Sequence, residues 1–230
     1  MKQRILISVF VSTLAFVSCL AVFSCSNKGE HAKTEPSSNP TDDVASGSAS
    51  HSKISKIKCH TTELCNELLA LIPQEFETLA SEFEERGFSE QEFGPNCHWA
   101  ALGWHDAGVL KKPEFINFPE YEPKLAKLFD RLPKGSTYQT GDLVVFEHYK
   151  KEKVYKDERK FEFVTFHQPI HTAVYLKEGF AFQKENPHTP AFSIDSIDRM
   201  HQFWSAYISK RTGVNQHLEI HYYRKKTGAN

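Results

Sequence analysis

Two residues in this chain are placed where thiol chemistry needs them. Cys97 lies in FGPNCHWAALGWHDAG, Phe93 to Gly108. Gly94 and Pro95 break the chain and Asn96 is a good N-cap. Trp99, Ala100, Leu102, Gly103 and Ala107 then recur with helical spacing, so Cys97 is expected in the first helical turn. Unpaired N–H groups and the helix dipole favour a thiolate there. The competing reading is a small buried hydrophobe. The second residue is His171, which opens HTAVYLKEGFAFQKEN, His171 to Asn186. A histidine backed by an orienting polar side chain is the base that a thiol nucleophile needs. Its competing reading is a half-buried surface histidine, one of twelve.

The elements around these residues define their relation. His171 to Asn186 reads as a hairpin. Val174, Leu176, Phe180 and Phe182 share a face only if the turn centres near Glu178, as a three-residue Lys177-Glu178-Gly179 loop. The other face then carries His171, Ala173, Tyr175, Ala181, Gln183 and Glu185. In that register Glu185 lies directly opposite His171, with Gln183 one diagonal step away. Ahead of the hairpin, Thr61 to Ile72 and Pro73 to Gly87 carry helical apolar spacing, and Glu120 to Gly135 holds a short helix. GDLVVFEHY, FEFVTFH, HTAVYL, FAFQKE and LEIHYYR have strand length and composition, and Ser196 to Ser209 is a helix ahead of the last strand. Helices first and an antiparallel meander second predict an α+β fold.

The chain has 230 residues, 28 basic and 29 acidic, with a net charge of −1 and no basic block, so nothing points to nucleic acid. Aromatic residues make up 13 %, enough for a real core. At the N-terminus, MKQR is followed by the apolar run ILISVFVSTLAFVSCLAVFSC and a hydrophilic stretch. This pattern predicts export, with Lys2 and Arg4 left on the cytoplasmic side. Val22-Phe23-Ser24-Cys25 resembles the lipobox of bacterial lipoproteins, which implies lipid attachment at Cys25 and a membrane-attached protein facing the periplasm or cell exterior. Residues 26–56 have almost nothing to bury and read as a disordered tether, spanning roughly 30 Å root-mean-square. Residues 57–230 are then the folded domain.

NCHWAAL, then GDLVVF, then HTAVYL..GFAFQ together resemble the NlpC-type cell-wall peptidases of the papain-like superfamily. The resemblance covers roughly Glu92 to Glu185. It implies N-terminal helices packed on an antiparallel sheet, Cys97 as nucleophile, His171 as base and Gln183 as third residue, with Glu185 as the alternative third residue. Gln91, six residues before Cys97, falls at the papain-type oxyanion glutamine, where NlpC-type enzymes commonly use a tyrosine. Asn96 and His98-Trp99 stand where that family often has Asp or Ser and Ser-Gly. The long segment Glu147 to Pro169 is expected to extend a charged hairpin beside the cleft. The implied activity is an endopeptidase or amidase acting on peptidoglycan stem peptides, as a monomer, without cofactor or metal. Two alternatives stand beside it: a thiol hydrolase of acyl or thioester lipids, and a non-catalytic lipoprotein that binds wall peptides.

Other candidate sites are weaker. His167 and His171 are four apart, roughly 13 Å in a strand, too far to share a metal. His217 and His221 read as solvent-facing edge residues, and Trp99, Trp104 and Trp204 as core or cleft wall. Cys59 and Cys65 remain once Cys25 and Cys97 are assigned, and export permits a disulfide between them. Within a continuous helix their Cα atoms would be about 9 Å apart, too far to bridge. The chain at Cys59 is therefore expected to be non-helical and to fold back onto Cys65.

Overall fold

The computed structural model describes residues 55–86, 94–156, 160–188, 191–211 and 216–228. The predicted signal peptide, lipidation site Cys25 and nearly all of the tether lie outside the described residues, as does Gln91. Among the described residues no helix is long and apolar enough to cross a membrane.

The fold is α+β, with N-terminal helices followed by a seven-stranded, mostly antiparallel open sheet. The helices are α1 (Cys65–Leu69), α2 (Gln74–Arg86), α3 (Cys97–His105), α4 (Ala107–Leu110), α5 (Phe118–Leu128) and α6 (Ile197–Arg211). The strands are β1 (Lys58–Cys59), β2 (Phe129–Arg131), β3 (Leu143–Tyr155), β4 (Phe161–Lys177), β5 (Phe180–Lys184), β6 (Phe192–Ser196) and β7 (Gln216–Lys225). Their order across the sheet is β1-β6-β5-β4-β3-β7-β2. Among the described strands only β1 and β6 run parallel.

Strand alternation sends successive side chains to opposite faces, and here both faces are covered. Leu143, Val145, Val174, Leu176 and Phe182 pack with Leu68, Phe76, Trp99, Leu102 and Tyr121 of the N-terminal helices. Val144, Phe146, Ala173 and Ala181 pack with Ile197 and Met200 of α6. Phe182 sits at the centre of the first core, its ring 4.8 Å from that of Phe76 and 5.5 Å from that of Phe192. Gly103 lets α3 and α4 approach closely, since a Cβ there would lie 2.1 Å from Leu110 Cδ2.

Several expectations change in detail. The first predicted helix shrinks to α1, because residues 58–59 pair with β6 and Thr61 to Leu64 lead back from that strand. The expected helix over Glu120 to Gly135 stops at Leu128, where β2 begins pairing with β7. FEFVTFH and HTAVYL fuse into one 17-residue strand, β4, across a bulge opposite Phe146/Glu147. Glu147 to Pro169 does form a hairpin, in which β3 and β4 pair as far as Tyr155↔Phe161. Strand β7 lies between β3 and β2, but β2 pairs only with Tyr223 to Lys225, so His217, 59 % exposed, lies on a locally uncovered edge as expected, whereas His221 does not face solvent. The side chain of His221 is 10 % exposed, beside Glu147 and Glu219.

Candidate active site

Asn96 builds the site from the backbone up. Buried ahead of α3, its side-chain oxygen accepts from Trp99 N at 3.2 Å, the expected N-cap, and from Ile116 N at 3.3 Å. Its Nδ2 donates to Ile116 O at 2.8 Å. One side chain thus starts the helix and ties it to the segment leading into α5. Cys97 follows as the first helical residue, 8 % exposed.

The hairpin of β4 and β5 has the predicted register in its paired core, with Val174 opposite Phe182 and Tyr175 opposite Ala181. The turn itself differs from the three-residue loop expected. Lys177 pairs with Phe180, leaving a two-residue turn in which Glu178 has φ 51° and Gly179 φ 79°. Two successive left-handed residues match the twist of a hairpin better than a longer loop. A bulge between Tyr175 and Lys177 takes up the extra residue and preserves the register beyond it.

In that register Gln183, not Glu185, meets the imidazole: His171 Nε2 lies 2.7 Å from Gln183 Oε1. An amide oxygen can only accept, so Nε2 carries the proton and Nδ1 is left as the basic nitrogen. Glu185 turns instead toward His60, 3.8 Å away. Trp204 of α6 stacks on the His171 ring, with centroids 5.0 Å apart, and Phe146 flanks it. Burial pushes the pKa of His171 down to about 4, partly opposed by the bond to Gln183.

The thiol is held on the same stretch of β4. Backbone N–H groups of Thr172, His98 and Cys97 itself, together with the Lys184 ammonium, favour a thiolate, but burial outweighs them and pushes the pKa up to about 11. The helix terminus therefore acts in the expected direction without prevailing. Among the described residues no hydrogen bond joins Cys97 to His171; the sulfur's side-chain contact is His98, with Nδ1 at 3.9 Å. Burial thus disfavours both the thiolate and the imidazolium.

Sequence reasoning did not assign His98, Thr172, Tyr121 or Lys184. His98 Nδ1 lies 3.1 Å from Thr172 Oγ1, which donates to the Tyr121 hydroxyl at 3.2 Å. The His98 ring stacks on Tyr121, with centroids 4.1 Å apart. Burial, with a smaller contribution from His171, drives the pKa of His98 down to about 3. Lys184 is fully buried, donates to Asn186 O at 2.6 Å, and has its pKa lowered to about 8 by burial. The only sequence signal for this group was His98, standing where a small residue is usual.

The other candidates separate from this site. Cys59 is extended in β1 and the chain folds back to Cys65, but the disulfide considered between them is not formed: both are free thiols. Burial and a hydrogen bond with Cys59 push the Cys65 pKa up to about 11. Trp99 is fully buried and Trp204 walls the His171 side, in keeping with core and cleft roles. Among the described residues no group of three or more His, Cys, Asp and Glu side chains is arranged to hold a metal ion. Comparison of the chain with protein-family models gives no match, and neither do comparisons with curated proteins and with solved structures.

Proposed function

We propose that this chain is an exported thiol hydrolase of papain-like, NlpC-type architecture, an endopeptidase or amidase that cleaves peptide bonds in peptidoglycan stems. The observation that carries this reading is the His171–Gln183 hydrogen bond at 2.7 Å, on the strand whose next residue, Thr172, adjoins the Cys97 thiol. It sets the tautomer required of a general base. Because burial disfavours both charged forms, His171 acts during attack and not through a preformed ion pair. The Cys97 Sγ–H proton passes to His171 Nδ1 as sulfur bonds to the substrate carbonyl carbon. Helix N-terminal N–H groups at Cys97 and His98 stabilise the oxyanion. The imidazolium then protonates the leaving amine as the C–N bond breaks. Water, deprotonated at Nδ1, opens the thioester and restores the thiol. Lipid attachment at Cys25 would hold the domain at a membrane, and the tether would give it reach.

The test is digestion of purified sacculi followed by mass analysis of the fragments. The proposal expects new stem-peptide ends with the native chain and none with Cys97→Ala. No fragments from the native chain would overturn it, and turnover of acyl or thioester lipids instead would move the chemistry to that substrate class. A second reading, a wall-peptide-binding lipoprotein without catalysis, draws on the buried, neutral thiol and its lack of a bond to His171. It expects both proteins to bind stem peptides equally and neither to cleave them.

A further inference from the structure

Beyond the core of the sheet, β3 and β4 continue as a two-stranded arm. Pairing of β3 with β7 ends at Lys150↔Gln216, while pairing of β3 with β4 runs on to Tyr155↔Phe161. Seven large hydrophobic residues are exposed among the described residues, and five are on this arm: Val154, Tyr155, Phe161, Phe163 and Phe166. That concentration sets the arm apart, because scattered exposed apolar residues are ordinary and a cluster is not.

The register sorts the arm into two unlike faces. The pairs Tyr155↔Phe161, Lys153↔Phe163 and Lys151↔Thr165 share one face, which carries three aromatic rings, two lysines and, among the described residues, no carboxylate. The opposite face carries Val154, Val164 and Phe166 together with Glu152 and Glu162, whose carboxylates are paired with Lys150 and Lys156. Edge strands are commonly protected by charge, but that leaves the aromatic cluster beside the lysines unexplained. Aromatic rings flanked by cations suit the interface of an anionic bilayer, where rings sit at headgroup depth and lysines meet phosphates. A sugar-stacking platform fits less well. Lys153 Nζ already covers Phe161, 3.7 Å from its centroid, and the neighbouring rings stand at 59° and 85° to one another.

We infer that the Tyr155–Phe161–Phe163 face of the β3–β4 arm, with Lys151 and Lys153, docks on an anionic lipid surface. This contact is separate from any N-terminal lipid: the tether would bring the domain within reach, and the arm would orient it. It does not depend on the proposed peptidase activity. Charge complementarity selects the occupant, since the charged groups among the described residues of the docking face, Lys151 and Lys153, are both cationic and phospholipid headgroups supply the anions.

The test is made on the full chain in vesicles, so that the N-terminal segment is common to every sample. F163W adds an indole on the docking face, and its emission is read as the difference from the native chain. Brominated phosphatidylglycerol vesicles should quench the added indole and shift it to the blue. Phosphatidylcholine vesicles should leave it unchanged. In the F163W background, K151E/K153E should lower the response at limiting lipid by at least ~25-fold, from about fivefold per cation at an anionic surface, with unchanged circular dichroism. An unquenched indole in phosphatidylglycerol vesicles overturns the inference, as does equal quenching in neutral vesicles. A concentration-dependent shift without lipid overturns it in favour of a second copy of the chain. A response to soluble wall fragments but not to vesicles overturns it in favour of a glycan or peptide.

Discussion

Alkylating Cys97 with iodoacetamide across pH 6 to 11, read cysteine by cysteine through peptide mass, tests the resting state of the site. With the thiol pKa moved from 9.0 to about 11, Cys97 holds about 100-fold less thiolate at neutral pH than an ordinary cysteine, at tenfold per unit. A more basic thiolate is the better nucleophile, and a Brønsted slope near 0.4–0.5 returns about eightfold of that loss. Chemistry alone therefore predicts labelling about tenfold slower than for an exposed cysteine, and the 8 % exposure of Cys97 slows it further. The rate should climb tenfold per pH unit toward pH 11. His171→Ala should leave this profile nearly unchanged, because the imidazole is neutral and unbonded to the sulfur, yet should lower turnover by about 10²–10⁴-fold. A labelling plateau between pH 5 and 8 that His171→Ala abolishes would refute the reasoning, since it would reveal a preformed thiolate–imidazolium pair.

Further outcomes are expected from the same structure. Gln183→Ala should reduce sacculus digestion far more than Glu185→Ala, because Gln183 holds Nε2 and Glu185 faces His60; the reverse ranking in fragment yield would transfer the role to Glu185. Gly103→Ala should destabilise by about 1–3 kcal/mol in denaturant titration through its clash with Leu110, and Leu110→Ala should remove most of the added penalty. His171 and His98 have folded pKa values near 4 and 3, below the ordinary 6.5. Their neutral forms therefore hold stability fully above about pH 6.5, and it is lost as pH falls toward those values. For His171 alone the shift corresponds to roughly 3 kcal/mol, read as a falling urea midpoint between pH 7 and pH 4. A midpoint flat over that range would show that the two rings are solvated.

The local patterns of this chain were legible because short-range sterics and hydrogen bonding set them. Gly94-Pro95-Asn96 marks a helix start, since Pro ends the preceding segment and Asn can cap the next helix, and α3 begins at Cys97. Period-two alternation of Val174, Leu176 and Phe182 fixed the hairpin face, because one slipped residue would bury its polar set. The alternation put Gln183 and Glu185 on the face of His171, and only the family resemblance favoured Gln183 between them. The turn type could not be anticipated, because the bulge at Leu176 and the left-handed Glu178 answer to the twist of the whole sheet.

What the sequence determined, then, is the α+β class, the start of α3 and the shared face of His171 and Gln183, all of which depend on neighbours within about fifteen residues. Tertiary structure decided whatever depends on distant partners. It largely covered the side chain of His221, expected to face solvent, beside Glu147. It joined His98 to Thr172, 74 residues away, and laid Tyr121 against both. It set the charge state of Cys97, because a helix N-terminus favours a thiolate only while water or a paired cation shares the work. Desolvation is a property of the packed interior, and a local sequence pattern does not carry it.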